Sequence, residues 1–314
     1  MTAFSQDFPH GITCIDTGYW RPGFAAAYLL IEGGEALFIE TGPSHAVPRL
    51  RATLAHKGLS PEALRAILVT HVHLDHAGGA AELLNHLPEA QLRVHPRGLR
   101  HLLDPTQLQA GAEAVYGPER FQSLLGTVQP ADSQRTKSTE DQEMVGWPGR
   151  PLTILHTPGH ALHHQCIWDP TSGGLFTGDA FGISYRIFDQ GEERLLFPAT
   201  TPVQFDREAS HHTLDRLAAL SPKWLFLTHF GPVPFTNRLT DRLHTLLDRF
   251  ADLADLHGAQ KGPEPLTEAL HQLLYQECPP ALPPLSDALC RDWLAMDCAL
   301  NAQGLRVWQQ RRSC

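Results

Sequence analysis

No stretch of this 314-residue sequence is long and apolar enough to cross a bilayer as a helix, which takes about 20 apolar residues, so no membrane-spanning segment is expected. The opening residues, Met1 to Phe8, lack a basic segment followed by an apolar stretch, so no secretory leader is read there and the cytoplasm is the expected location. Basic charge is short: 25 Lys and Arg face 34 Asp and Glu, for a net charge of -9, which disfavours nucleic acid as a partner. Cysteine is scarce and badly spaced for metal. Cys14, Cys166, Cys278, Cys290, Cys298 and Cys314 form neither a CxxC pair nor a zinc ribbon, and in a cytosolic chain they are expected to stay reduced. There is no GxSxG elbow and no P-loop, so a serine nucleophile on such an elbow and a Gly-rich phosphate cradle are both excluded. What remains is a chain of ordinary globular composition, 42% hydrophobic and 19% charged, long enough for a main domain plus an appendage.

Against those absences, Thr70-His71-Val72-His73-Leu74-Asp75-His76-Ala77-Gly78-Gly79 concentrates three imidazoles and a carboxylate directly after an apolar run. Histidines at i and i+2 can point the same way from an extended strand end. Asp75 and His76, at the turn into a helix, can face a second metal beside the first. The same context recurs three times: Leu152 to His156 runs into Thr157-Pro158-Gly159-His160, Gly174 to Thr177 into Gly178-Asp179, and Trp224 to Thr228 into His229-Phe230-Gly231. Each is a short apolar strand followed by a ligand-type residue in a Gly- or Pro-containing turn. Open sheets place their chemistry beyond the carboxyl ends of strands, so four such ends can serve one site.

The ordered set His71, His73, Asp75, His76, His160, Asp179 and His229 resembles the dinuclear ligand set of the metallo-β-lactamase fold superfamily, over roughly residues 12 to 231. That resemblance implies an αββα sandwich of the α/β class. It implies one metal on His71, His73 and His160, another on Asp75, His76 and His229, and Asp179 bridging them. Asp75 is further expected to orient the attacking water, making it the catalytic residue of the set. Two divalent ions are expected, zinc first, with iron or manganese compatible with the same donors. One position departs from the pattern: Glu40 stands where the family usually has an aspartate supporting the metal loops, and it keeps the charge on a side chain one methylene longer.

Two other segments are candidates for substrate contact. Thr17 to Gly23, with Tyr19 and Trp20, corresponds to a loop that leans over the metals in this superfamily; packing on the sheet is the rival reading. Ala180 to Pro202 follows Asp179, is aromatic-rich and long for a connection, and offers Tyr185 and Arg186. Strand and helix alternate along the first part of the chain, with helices expected at Pro43 to Gly58, Pro61 to Arg65, Gly79 to Leu87, Pro96 to Leu103 and Thr106 to Leu125. The polar tract Ala131 to Glu143 is expected to be a surface loop. Asp206 is placed as the cap of a helix from Arg207. Three amphipathic stretches, interrupted by Pro279, Pro280, Pro283 and Pro284, read as a C-terminal helical extension. The expected division is therefore a catalytic domain over 1–235 and a helical region over 236–314, whose apolar faces either pack on the main domain or form a homodimer.

The resulting expectation is a dinuclear metallohydrolase that uses a metal-bridging hydroxide on a small-molecule ester, thioester, lactone or phosphodiester. Hydroxyacylglutathione hydrolases are the nearest comparison, since they also add C-terminal helices. The runner-up is an oxidoreductase resembling persulfide dioxygenases, with one iron on His71, His160 and Asp179; the C-terminal helices count against it.

Overall fold

The computed structural model describes residues 2–201, 203–257, 260–280 and 285–312. Pro202, Pro283, Pro284 and Cys314, which figured in the expectations above, lie outside that range. The chain divides into two compact units, the first made of Met1–His156, His163–Gly178 and Pro222–Pro234, the second of Thr157–Leu162, Asp179–Ser221 and Phe235–Cys314.

Both sheets belong to the first unit. One runs in the order β1 (Ser5–Phe8), β2 (Ile12–Asp16), β3 (Ala26–Glu32), β4 (Glu35–Ile39), β5 (Leu64–Leu68), β6 (Gln91–Val94) and β7 (Thr136–Ser138). Gly33 and Gly34, at φ 60° and 84°, make the tight β3–β4 turn whose two left-handed positions suit glycine. From β4 onward the strands are parallel, and β5 is flanked on both sides, which is why its run is almost continuously apolar. The other sheet runs β13 (Gly231–Pro234), β12 (Trp224–Leu227), β11 (Gly174–Gly178), β10 (Gln165–Asp169), β9 (Arg150–His156) and β8 (Met144–Trp147). The sheets meet face to face through aromatic rings: Tyr28 of β3 lies 5.1 Å from Phe176 and 5.4 Å from Phe226, both edge-on, and its hydroxyl donates to the Leu227 carbonyl.

Helices α1 (Val47–His56), α2 (Leu74–Ala77), α3 (Ala80–Asn85), α4 (Pro96–Leu103), α5 (Thr106–Tyr116) and α6 (Pro118–Leu125) complete this unit. Three expectations need correction. Pro61 to Arg65 is no helix: a single 3-10 turn covers Pro61–Ala63, and Leu64 already enters β5, where pairing between β4 and β6 outweighs local helix preference. The helix expected over Thr106 to Leu125 is broken at Gly117, whose φ of 78° ends α5, and Pro118 starts α6. The polar tract Ala131 to Glu143 contributes the edge strand β7.

The second unit is helical: α7 (Arg207–Ala218), α8 (Asn237–His257), α9 (Glu264–Glu277) and α10 (Asp287–Arg312). As expected, Asp206 caps α7, its carboxylate accepting the Ala209 N–H at 2.9 Å. The apolar face of α8 (Leu243, Leu246, Leu247, Phe250, Ala254) is buried. The 179–221 stretch is stitched to α10. Thr200 N–H donates to Asn301 Oδ1 at 2.6 Å, and a Cβ at Gly304 would stand 1.9 Å from the Thr200 carbonyl oxygen, so only glycine permits that approach. Among the described residues no helix is long and apolar enough to cross a membrane.

Candidate metal centre

In the first unit β5 delivers the His-rich motif. Leu68 pairs with Ile39 in the parallel β4–β5 ladder, so the chain leaves both strands side by side, at Glu40 on one and at Val69 to His71 on the other. The motif then turns into α2, with His73 as its N-cap residue in extended conformation and Asp75 and His76 in the helix itself. His229 follows β12 in the second sheet, ahead of a cis peptide to Phe230. Three of the ligand-type atoms converge here: Asp75 Oδ2 lies 3.8 Å from His76 Nε2 and 3.4 Å from His229 Nε2. A second cluster joins Glu40, His71 and His76, and His71 Nε2 lies 2.8 Å from His73 Nδ1.

The far nitrogens of these rings are already committed. His76 Nδ1 bonds Glu40 Oε1 at 2.9 Å, His229 Nδ1 bonds the Phe24 carbonyl at 2.8 Å, and His71 Nδ1 lies 3.0 Å from Thr70 Oγ1. Donation from one ring nitrogen to a carboxylate or carbonyl fixes the tautomer and leaves the other nitrogen as a metal donor. The second unit repeats the device. His160 bonds the Ala199 carbonyl through Nδ1 at 3.0 Å and turns Nε2 to within 3.5 Å of Asp179 Oδ2. Gly159, just before it, packs so closely on Ser210 that a Cβ there would stand 2.6 Å from Ser210 Oγ, so the turn requires glycine.

Glu40 is the hub of the second cluster and, through His76, is tied to the first. It is fully buried, holds a left-handed φ of 63°, and accepts from Thr70 N–H at 3.2 Å, from the Thr70 hydroxyl, from Thr228 Oγ1 at 3.2 Å and from His76. Thr70 and Thr228, each one residue before a ligand-type histidine, thus pin their loops through a shared carboxylate. Burial acts to raise the pKa of the Asp75 carboxyl. The imidazoles of His76, His229 and His73 outweigh it and hold the group well below the usual carboxylate range. An ionised carboxylate among imidazole nitrogens is a donor set suited to a borderline divalent ion such as zinc.

A family model described as the metallo-beta-lactamase superfamily matches residues 20–229, which holds every ligand-type residue named above. The chain belongs to that superfamily. A hydroxyacylglutathione hydrolase from Tolumonas auensis is 31% identical over 196 residues, 62% of this chain and 56% of the relative. The chain thus spans little more than half the length of the hydroxyacylglutathione hydrolases it matches. A metallo-beta-lactamase fold-containing protein from Sulfurisphaera tokodaii is 26% identical over 215 residues, 68% of this chain and 75% of the relative. Among solved structures, an archaeal metallo-beta-lactamase superfamily protein from Sulfolobus tokodaii aligns with TM-score 0.67 at 23% identity over 95% of this chain and 98% of that one. A metallo-beta-lactamase family protein from Thermus thermophilus aligns with TM-score 0.66 at 20% identity over 96% and 94%. The expected α/β fold with a C-terminal helical part is the one found.

The expected substrate contacts of this superfamily member fare differently from one another. Tyr19 is buried, with its hydroxyl 3.3 Å from that of Tyr116 on α5, and its ring 5.9 Å from Phe24, the residue whose carbonyl holds His229. Trp20 stays half-buried at φ 57°, with Arg120 of α6 over its ring at 4.4 Å and Arg21 at 5.9 Å. Tyr185, expected to face substrate, is instead fully buried in the second unit, its hydroxyl 3.1 Å from both carboxylate oxygens of Asp297 on α10. Arg186 beside it is exposed. His163 and His164, which from sequence alone could support the ligands or contact substrate but read better as non-catalytic, have rings 6.0 and 4.9 Å from that of His71. Their nearness in sequence to His160 was the one available signal.

Proposed function

We propose that this metallo-β-lactamase superfamily member is a dinuclear metallohydrolase of small esters, thioesters, lactones or phosphodiesters, with zinc as the first candidate metal. In this reading His71, His73 and His160 would hold one ion and Asp75, His76 and His229 the other, with Asp179 as a ligand that would serve both. The observation that carries it is the convergence of Asp75 Oδ2 with the Nε2 atoms of His76 and His229, each ring locked by its Nδ1 bond to Glu40 or to the Phe24 carbonyl. The sequence likeness to hydroxyacylglutathione hydrolases supports the thioester end of the substrate range.

Held by these donors, a pair of divalent ions supplies Lewis acidity that lowers the pKa of water toward neutrality and polarises a carbonyl or phosphoryl oxygen. The chain's own residues do the rest. Asp75, kept ionised by the imidazoles around it, accepts a hydrogen bond from the attacking water and fixes its lone-pair direction. Glu40 keeps His76 from rotating, so the donor geometry is set before substrate arrives. Trp20, with Arg120 over its ring, would offer an aromatic and cationic surface to the substrate, while buried Tyr19 braces the loop through Tyr116.

The test is metal analysis coupled to turnover of a panel of thioester, lactone, carboxyl ester and phosphodiester substrates by the metal-loaded protein. Two equivalents of metal and hydrolysis of at least one class are expected. Fewer than two equivalents at saturation would sink the dinuclear reading. Oxygen consumption with glutathione persulfide and no hydrolysis would replace it with the mononuclear iron oxidoreductase.

A further inference from the structure

In the second unit, α7 and α8 bring together a group of imidazoles and carboxylates that the proposed reaction does not use. His211 Nδ1 and His244 Nδ1 are 2.6 Å apart. Their ring planes differ by 1° and their centroids lie 4.9 Å apart, so the rings are coplanar and meet nitrogen to nitrogen rather than face to face. The outer nitrogens are committed: His211 Nε2 lies 3.0 Å from Asp248 Oδ1 and His244 Nε2 lies 3.1 Å from Asp215 Oδ1. An ionised carboxylate only accepts, so each Nε2 carries its hydrogen and each Nδ1 presents a lone pair toward the other.

Two lone pairs that close repel, and the arrangement closes only around a cation. A shared proton is the smallest one that fits. The surroundings, however, also match a metal site: an imidazole backed by a carboxylate through its far nitrogen is the usual state of a metal-ligating histidine, and here both rings are backed. Asp248 is kept ionised by Arg207, whose Nε lies 3.0 Å away; burial works to raise its pKa, and bonds from Arg207 and His211 more than offset that. Glu208 and Asp252 face Arg207 in turn, so the guanidinium does not leave the cluster cationic. Both imidazoles reach the surface, with side chains 20% and 25% exposed, and water can complete the coordination shell.

We propose that His211 and His244 form a second metal site, separate from the centre described above, for a divalent ion of the copper, nickel and zinc class. Uptake releases the shared proton to solvent, and the rings part, because nitrogens about 2.0–2.1 Å from one ion stand farther apart than they do now. The ion ties α7 to α8. Copper binds most tightly in this series at imidazole donors, so Cu²⁺ alone is the probe.

Protein already loaded with zinc is titrated with Cu²⁺ and followed by bound-metal count and by electron paramagnetic resonance. Wild type is expected to take up one equivalent more than His211→Ala or His244→Ala, with a nitrogen-coupled copper signal that both variants lack. Asp215→Asn, which keeps both rings, should bind that equivalent about 10- to 100-fold more weakly. His244→Gln serves as a gentler replacement should the alanine variants fold poorly. Hydrolytic turnover of the zinc-loaded variants is expected to match wild type, which separates this site from the proposed catalytic one. Equal copper uptake by wild type and by all the histidine variants would overturn the proposal.

Discussion

His76 Nδ1 lies 2.9 Å from Glu40 Oε1, with both side chains fully buried, and this bond joins the end of β4 to a proposed metal ligand 36 residues later. Removing it should loosen the metal before it disturbs the fold. Glu40→Ala is expected to weaken metal retention about 10- to 100-fold, measured as metal content after dialysis against a graded chelator. Glu40→Gln, which keeps the length, should fall in between. Unchanged retention and activity in Glu40→Ala would reject the supporting role.

Asp75 carries the second prediction. Asp75→Asn removes the charge that the surrounding imidazoles stabilise and takes away an acceptor for the water's proton. A drop in kcat of about 100-fold or more is expected in protein reloaded with metal. Full turnover in that variant would remove Asp75 from the chemistry.

A third prediction concerns pH. His95 caps α4 by accepting the Arg97 N–H at 3.1 Å, and burial, with His156 and Arg97 nearby, lowers its pKa from 6.5 to about 4. Its neutral form is therefore favoured by the fold, while the unfolded chain protonates it near its ordinary pKa. Stability should fall as pH drops from about 6.5 toward 4, by about 3 kcal/mol in total for this group. His95→Asn keeps a capping side chain without the titration, and the slope of denaturation midpoint against pH in that window should flatten. An unchanged slope would place the titration elsewhere.

Tyr185 supplies the fourth. Its hydroxyl serves Asp297, so Tyr185→Phe should cost about 1–3 kcal/mol in chemical denaturation and leave KM unaltered. A raised KM with unchanged stability would return it to the substrate side.

The ligand-type turns were legible in sequence because each is local: an apolar strand and the residue that follows it sit within a few positions. The cap at Asp206 and the C-terminal helices were readable for the same reason. What escaped depends on partners far along the chain. Glu40 was placed as a support of the metal loops by the family resemblance alone; that it joins Thr70 and Thr228, 30 and 188 residues away, is announced by nothing in its own neighbourhood. Tyr185 looked like a loop aromatic until Asp297, 112 residues on, claimed its hydroxyl. Pro61 to Arg65 misled because sheet pairing on both sides of β5 overrode a local helical pattern.

The parallel pairing of Ile39 with Leu68 has a consequence beyond the placement of two loops. Side chains alternate along a strand, so a slip of one residue between β4 and β5 would turn Thr70 away from Glu40 and aim the His71 loop elsewhere. Metal affinity in this protein is then a gauge of strand alignment. Apolar substitutions inside β4 or β5 that leave overall stability intact but relax that alignment should register first as a fall in metal affinity, long before any spectroscopic sign of unfolding.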